Sequence, residues 1–195
     1  RSPIYRPAEA AKTDKPLPVL ACANGGCQNQ GNRAQHLLGE IASHGYLVVA
    51  IGAIGALEAR VERPQVPGES PQAQLARRVA TSGAAPTRTE QLWQAIDWAE
   101  KASRSGPLAG RIAADRVAVA GHSCGGLQAI AASSDQRIDT TIVLNSAVFD
   151  QPRVEVDARY RSSVPSVYAV GDVSTRQEVT PGALGEGRAV VDTLV

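Results

Sequence analysis

The stretch VAVAGHSCGGLQAIAA, residues 117–132, decides the fold. Small apolar residues lead into Gly121, His122, Ser123, Cys124 and Gly125, and small helix-forming residues lead out. A short apolar run closed by glycine and followed by a helical pattern reads as a buried strand turning sharply into a helix. Such a turn strains the backbone at Ser123, and side chains at positions 121 and 125 would collide with neighbouring backbone.

The same alternation extends in both directions. LPVLACA (17–23) is a buried strand ending in the polar, glycine-rich NGGCQNQGN. RAQHLLGEIASHG then places Leu37, Leu38 and Ile41 on one helical face and stops at Gly45, a C-terminal cap. YLVVAIGA (46–53) is a second buried strand. In PTRTEQLWQAIDWAEKAS, Thr87 and Glu90 have capping-box spacing, and Leu92, Ala95, Ile96 and Ala99 form the apolar stripe. Further strands are expected at 115–121, 140–147 and 165–172, with a helix over 125–134 and the start of another in GRAVVDTLV. Residues 1–16 read as a surface lead-in with a short edge strand at Ile4–Tyr5. Residues 54–86 read as an insertion or lid-like loop with a short helix near 71–80. Uniformly apolar strands alternating with helices predict one three-layer α/β domain over 1–195, with a mostly parallel sheet covered on both faces.

Composition narrows the function classes. The 195 residues are 43% apolar, enough for a sizeable core, and the net charge is near +1 without a run of like charges. That argues against a nucleic-acid partner, as does an aromatic content of 4%. No apolar stretch approaches the length of a membrane span. The absence of methionine implies that Arg1 is not a translation start, and a signal peptide is one segment that processing would remove. Three cysteines, Cys22, Cys27 and Cys124, leave at least one unpaired and lack paired metal-ligand spacing.

In a parallel sheet, ligands sit beyond the carboxyl ends of the strands. Two loops fall there: NGGC after the strand at 17–23, and GHSCGG after the strand at 115–121. Gly-x-Ser-x-Gly between a strand and a small-residue helix has the setting of a nucleophile elbow, with Ser123 at a helix N-terminus that favours developing negative charge. The Cys124 backbone N–H directly after the serine, and an N–H from the Gly25–Cys27 loop, are the candidate oxyanion donors.

Together LPVLACANGGCQNQGN, LLGEIASHGYLVVAIG, PTRTEQLWQAIDWA, VAVAGHSCGGLQAIAAS and TTIVLNSAVF resemble the α/β-hydrolase superfamily, nearest to secreted esterase-like and dienelactone-hydrolase-like proteins. The resemblance spans roughly residues 17–172. It implies a Ser–acid–His triad with no metal and no organic cofactor. Ser123 would be the nucleophile, Asp172 the acid with Asp150 as fallback, and Gly26 or Cys27 together with Cys124 the oxyanion hole. Asn24 would organise its loop. No histidine follows His122, whose own side chain should point away from Ser123, while His36 and His44 lie far from the elbow in the chain. The resemblance therefore implies residues missing between about Thr175 and Thr180, and a second gap near Arg153–Arg159 is an option. It also places Cys27 and Cys124 beside the two donor positions, either as a disulfide or as two small buried thiols, with Cys22 in the core. The expected activity is cleavage of a small-molecule carboxylic ester through an acyl-enzyme; an acyltransferase is a further option and would use the same residues. The alternative is a catalytically poor relative acting as a ligand-binding or interaction domain. The expected location is secreted or periplasmic, with the cytoplasm as alternative.

Overall fold

The computed structural model describes residues 2–10, 15–56, 66–70, 73, 74, 76, 77, 85–146, 155–159, 161–163 and 167–170. Its elements are β1 (Ile4–Tyr5), β2 (Leu17–Ala23), a 3-10 turn (Gly25–Cys27), α1 (Gln35–Ser43), β3 (Leu47–Ala50), α2 (Glu90–Arg104), β4 (Ile112–His122), α3 (Cys124–Ala132), β5 (Thr140–Leu144) and β6 (Val167–Val170). Residues 73, 74, 76 and 77 are helical as well, behind Ser70, whose Oγ accepts the Ala73 N–H at 3.2 Å.

Among the described residues the strands form one six-stranded sheet in the order β1-β3-β2-β4-β5-β6. All neighbours are parallel except β1, which runs antiparallel along the β3 edge. This is an α/β architecture with a mixed, mostly parallel sheet. In β2 the period of two sorts side chains between the faces. Val19, Ala21 and Ala23 join one core with Leu92, Ala95, Ile96 and Ala99 of α2 and Ala129 and Ala132 of α3. Leu20 and Cys22 join the other with Leu38 and Ala42 of α1. Each fully buried Leu or Ile contributes roughly 1.5–3 kcal/mol relative to exposure, so the larger first core carries most of the apolar stabilisation.

Several local expectations need adjusting. Leu38 is fully buried but Leu37 is 51% exposed, because the α1 face toward the sheet runs through Leu38, Ile41 and Ala42. Strand β4 begins at Ile112, before the expected start, and its register against β2 shifts between Pro18 and Val19. The shift passes the exposed Asp115 and Arg116 outward as a bulge, and Arg116 Nη2 donates to the Pro16 carbonyl at 3.0 Å. Thr87 does not cap α2. The N-cap is Thr89, without a side-chain cap bond; Gln91 Oε1 accepts the Arg88 N–H at 2.8 Å just before it, and Thr87 is buried and bonded elsewhere. Gly45 ends α1 as expected, with φ +94 and its N–H on the Ala42 carbonyl at 3.0 Å. Asp150, Asp172, most of the 54–86 loop, the Thr175–Thr180 interval and GRAVVDTLV lie outside the described residues.

Candidate functional site

Among the described residues three non-glycine residues have positive φ, namely Cys27 at 47°, Ser123 at 53° and Asn145 at 42°. They follow the carboxyl ends of β2, β4 and β5, so the backbone strain among the described residues gathers on one edge of the sheet.

The β4–α3 turn is shaped by what it lacks. A Cβ on Gly121 would overlap the Gly125 carbonyl, and a Cβ on Gly125 would overlap the carbonyl of Ala23. A Cβ on Gly126 would come within 2.5 Å of the Ser146 Cβ. With those side chains absent, α3 starts directly against β2 and β5. Hydrogen bonds then fix Ser123: its N–H donates to the Leu144 carbonyl at 3.0 Å, and its carbonyl accepts from Gly126 N–H at 2.8 Å and Ser146 Oγ at 2.7 Å. Among the described residues no group hydrogen-bonds the Ser123 hydroxyl.

The turn after β2 is shaped by a side chain. Asn24 is 5% exposed and its Nδ2 donates to the carbonyls of Gln30 at 3.0 Å and Ile51 at 3.1 Å. One amide thus closes its own loop and ties it to the end of β3. Gly26 adopts φ +65, which lets the 3-10 turn reverse direction before Cys27.

The two turns meet at Cys27 and Cys124, which are joined in a disulfide with a Cα–Cα distance of 5.3 Å. Cys27 is 9% exposed, while Cys124, the first residue of α3, is partly exposed. The His122 ring lies beside them, and a Cβ on Gly25 would stand 2.6 Å from its Nδ1. Desolvation against this loop lowers the His122 pKa, although much of the side chain remains exposed. The other histidines lie elsewhere: His36 is exposed on α1, and His44, at its C-terminus, sits 3.3 Å from Glu40 Oε1. Cys22 is buried and free, and burial pushes its thiol up to about 12.

Ser123, Gly26, Cys27 and Cys124 therefore share the carboxyl edge of the sheet, and Asp172 falls outside the described residues. Two site residues were missed in the sequence, Thr87 and Gln128. Gln128 is 7% exposed and its Nε2 donates to the Thr87 carbonyl at 2.6 Å, while the Thr87 N–H donates to the Cys27 carbonyl at 2.8 Å. The one available signal was a lone glutamine among the small residues of GGLQAIAA. Among the described residues no group of three His, Cys, Asp or Glu is placed to hold a metal ion, and no helix is long and apolar enough to cross a membrane.

No family model matches the chain. Part of it is similar to the trypanothione reductase of Trypanosoma congolense, 47% identical over 45 residues, which is 23% of this chain and 9% of the relative. The glutathione reductase of Burkholderia cepacia is 49% identical over 41 residues, 21% of this chain and 9% of the relative. That of Nostoc sp. is 48% identical over 40 residues, 20% of this chain and 9% of the relative. The chain thus spans about 9% of the length of these relatives. These similarities correct the expected identity: the matched proteins are reductases, and the α/β-hydrolase resemblance, the serine esterase activity and the carboxylic ester hydrolase class are overturned. The alternative of a catalytically poor hydrolase relative lacks support with them.

Proposed function

We propose that Cys27 and Cys124 form a thiol–disulfide exchange centre for a low-molecular-weight disulfide of the glutathione type. The observation that carries this reading is the position of the bridge. It spans two strained turns on the sheet's carboxyl edge, with Cys124 at a helix N-terminus and partly exposed. Disulfides that only brace a fold have no need of that placement, while exchange requires an accessible sulfur whose thiolate is stabilised. The N-terminal end of α3 offers that stabilisation, since the helix dipole favours negative charge there. The similarity to proteins named as reductases of trypanothione and glutathione, over about a fifth of the chain, supports the same chemistry.

The roles follow from exposure. In the reduced pair, the Cys124 thiolate attacks one sulfur of the small disulfide, forming a mixed disulfide and releasing one thiolate. The Cys27 thiolate then attacks the Cys124 Sγ, restoring the Cys27–Cys124 bond and releasing the second thiolate. Two electrons pass from the pair to the small disulfide, and a dithiol reductant returns the pair to its reduced state. Ser123 and Gly26 flank the sulfurs and shape the approach to Cys124.

Incubation in glutathione buffers of graded redox ratio, with acid quenching and mass measurement, tests the reading. The expected result is a reversible transition between bridged and reduced chain. A Cys27→Ser variant should accumulate glutathione on Cys124, and a Cys124→Ser variant should accumulate far less on Cys27. A wild-type bridge that never exchanges with glutathione, or equal labelling of the two variants, would overturn it.

A further inference from the structure

Besides the disulfide, a chain of hydrogen bonds among the described residues connects the β2 turn to α3. It runs from the Cys27 carbonyl to the Thr87 N–H at 2.8 Å, and from the Thr87 carbonyl to Gln128 Nε2 at 2.6 Å. The Thr87 hydroxyl also lies 3.3 Å from both Gln128 Oε1 and Gln128 Nε2. Gln128 stands one helical turn after Cys124, so both side chains leave α3 on the same face. Thr87 and Gln128 are 4% and 7% exposed, and water therefore does not replace these bonds cheaply if they open.

We propose that Gln128, acting through Thr87, is a positioning residue that holds Cys27 against α3 when the disulfide is reduced. Asn24 ties the start of the β2 turn to the end of β3, but with the bridge alone the Cys27 end would lose its bond to α3 each time the disulfide opened. With the second connection intact, the Cys27 backbone stays in place and the two sulfurs remain within bonding reach. Ordering of the turn is then supplied by hydrogen bonds in the dithiol state. Ring closure has less entropy left to overcome, which raises the effective concentration of one thiol at the other. Gln128 thereby favours the disulfide without touching either sulfur.

The inference takes the cysteine pair as the exchange centre proposed above, but its equilibrium is measured separately. The bridged and reduced fractions are determined in graded dithiothreitol buffers for the wild type, Gln128→Met and Thr87→Val. Gln128→Met conserves volume and removes the donor, and the constant for disulfide formation should fall about tenfold. That corresponds to a potential about 30 mV less reducing for a two-electron couple. Thr87→Val keeps both backbone groups of the connection and should move the constant much less. Gln128→Asn, too short to reach, serves as a second variant and should follow Gln128→Met should that chain fail to fold. Equal constants in wild type and Gln128 variants, even with lower thermal stability, would show a merely structural residue and overturn the inference. Failure of the wild type to exchange with glutathione, with the dithiothreitol difference intact, would overturn only the exchange reading.

Discussion

The two turns that meet at the disulfide are built by opposite means. The turn after β4 depends on missing side chains, since Gly121, Gly125 and Gly126 let three backbone segments approach more closely than any Cβ permits. The turn after β2 depends on a present one, the Asn24 amide that satisfies two carbonyls at once. The difference teaches how each should fail. A turn made by close approach has no compliant atom to move, so the smallest addition disrupts it. A turn made by hydrogen bonds retains its shape while losing the energy of those bonds.

Gly121→Ala is the harshest way to break the contrast. Its methyl group would overlap the Gly125 carbonyl, backbone against backbone, and relief requires moving α3. The expected cost is about 3 kcal/mol or more, read as a lower urea midpoint or loss of folded protein. Asn24→Leu tests the other turn. It keeps the volume but strips the Ile51 carbonyl of its donor and leaves the Gln30 carbonyl only the Arg33 N–H, for an expected loss of about 2 kcal/mol in urea unfolding with the disulfide still formed. A loss as large as that of Gly121→Ala would erase the distinction between the two turns.

The smallest effect concerns the seam where the turns touch, the His122 ring on Gly25. Desolvation lowers the folded His122 pKa below its ordinary value of 6.5, so the folded chain binds fewer protons than the unfolded one through this range. The contribution is intact above about pH 6.5 and is lost as the pH falls toward the folded value. Urea midpoints at about pH 7.5 and about pH 5.5 should therefore differ less in His122→Gln than in wild type. An identical pH dependence in both would show that the ring is not desolvated by the loop.

The legible parts of the fold were those governed by period. Alternation in β2 and the stripe Leu92, Ala95, Ile96 and Ala99 correspond to the two cores, because burial on a repeating face leaves a repeating signature. The start of β4 was hidden because residues 112–114 are cut off from the apolar run at 117–121 by the polar Asp115 and Arg116, which form a bulge within the strand. Thr87 was misread because capping-box spacing is local, while its real partner, Gln128, lies far along the chain. At the candidate site, Gly121 and Gly125 announced a tight turn through their spacing. The chemistry was read from likeness of pattern, and similarity to reductases corrected it. A strand–turn–helix motif specifies where a side chain is presented, and the reaction depends on which groups reach it.

The sealed thiol of Cys22 has a practical consequence. It sits in the smaller core, and burial pushes its thiol up to about 12, so in the native protein it is both hidden and protonated at neutral pH. A thiol reagent reaches it only when β2 separates from α1, making its slow alkylation a clock for opening of that core. The bridged protein then carries a single reporter cysteine, and the rate at which it is capped counts how often the centre of the molecule comes apart.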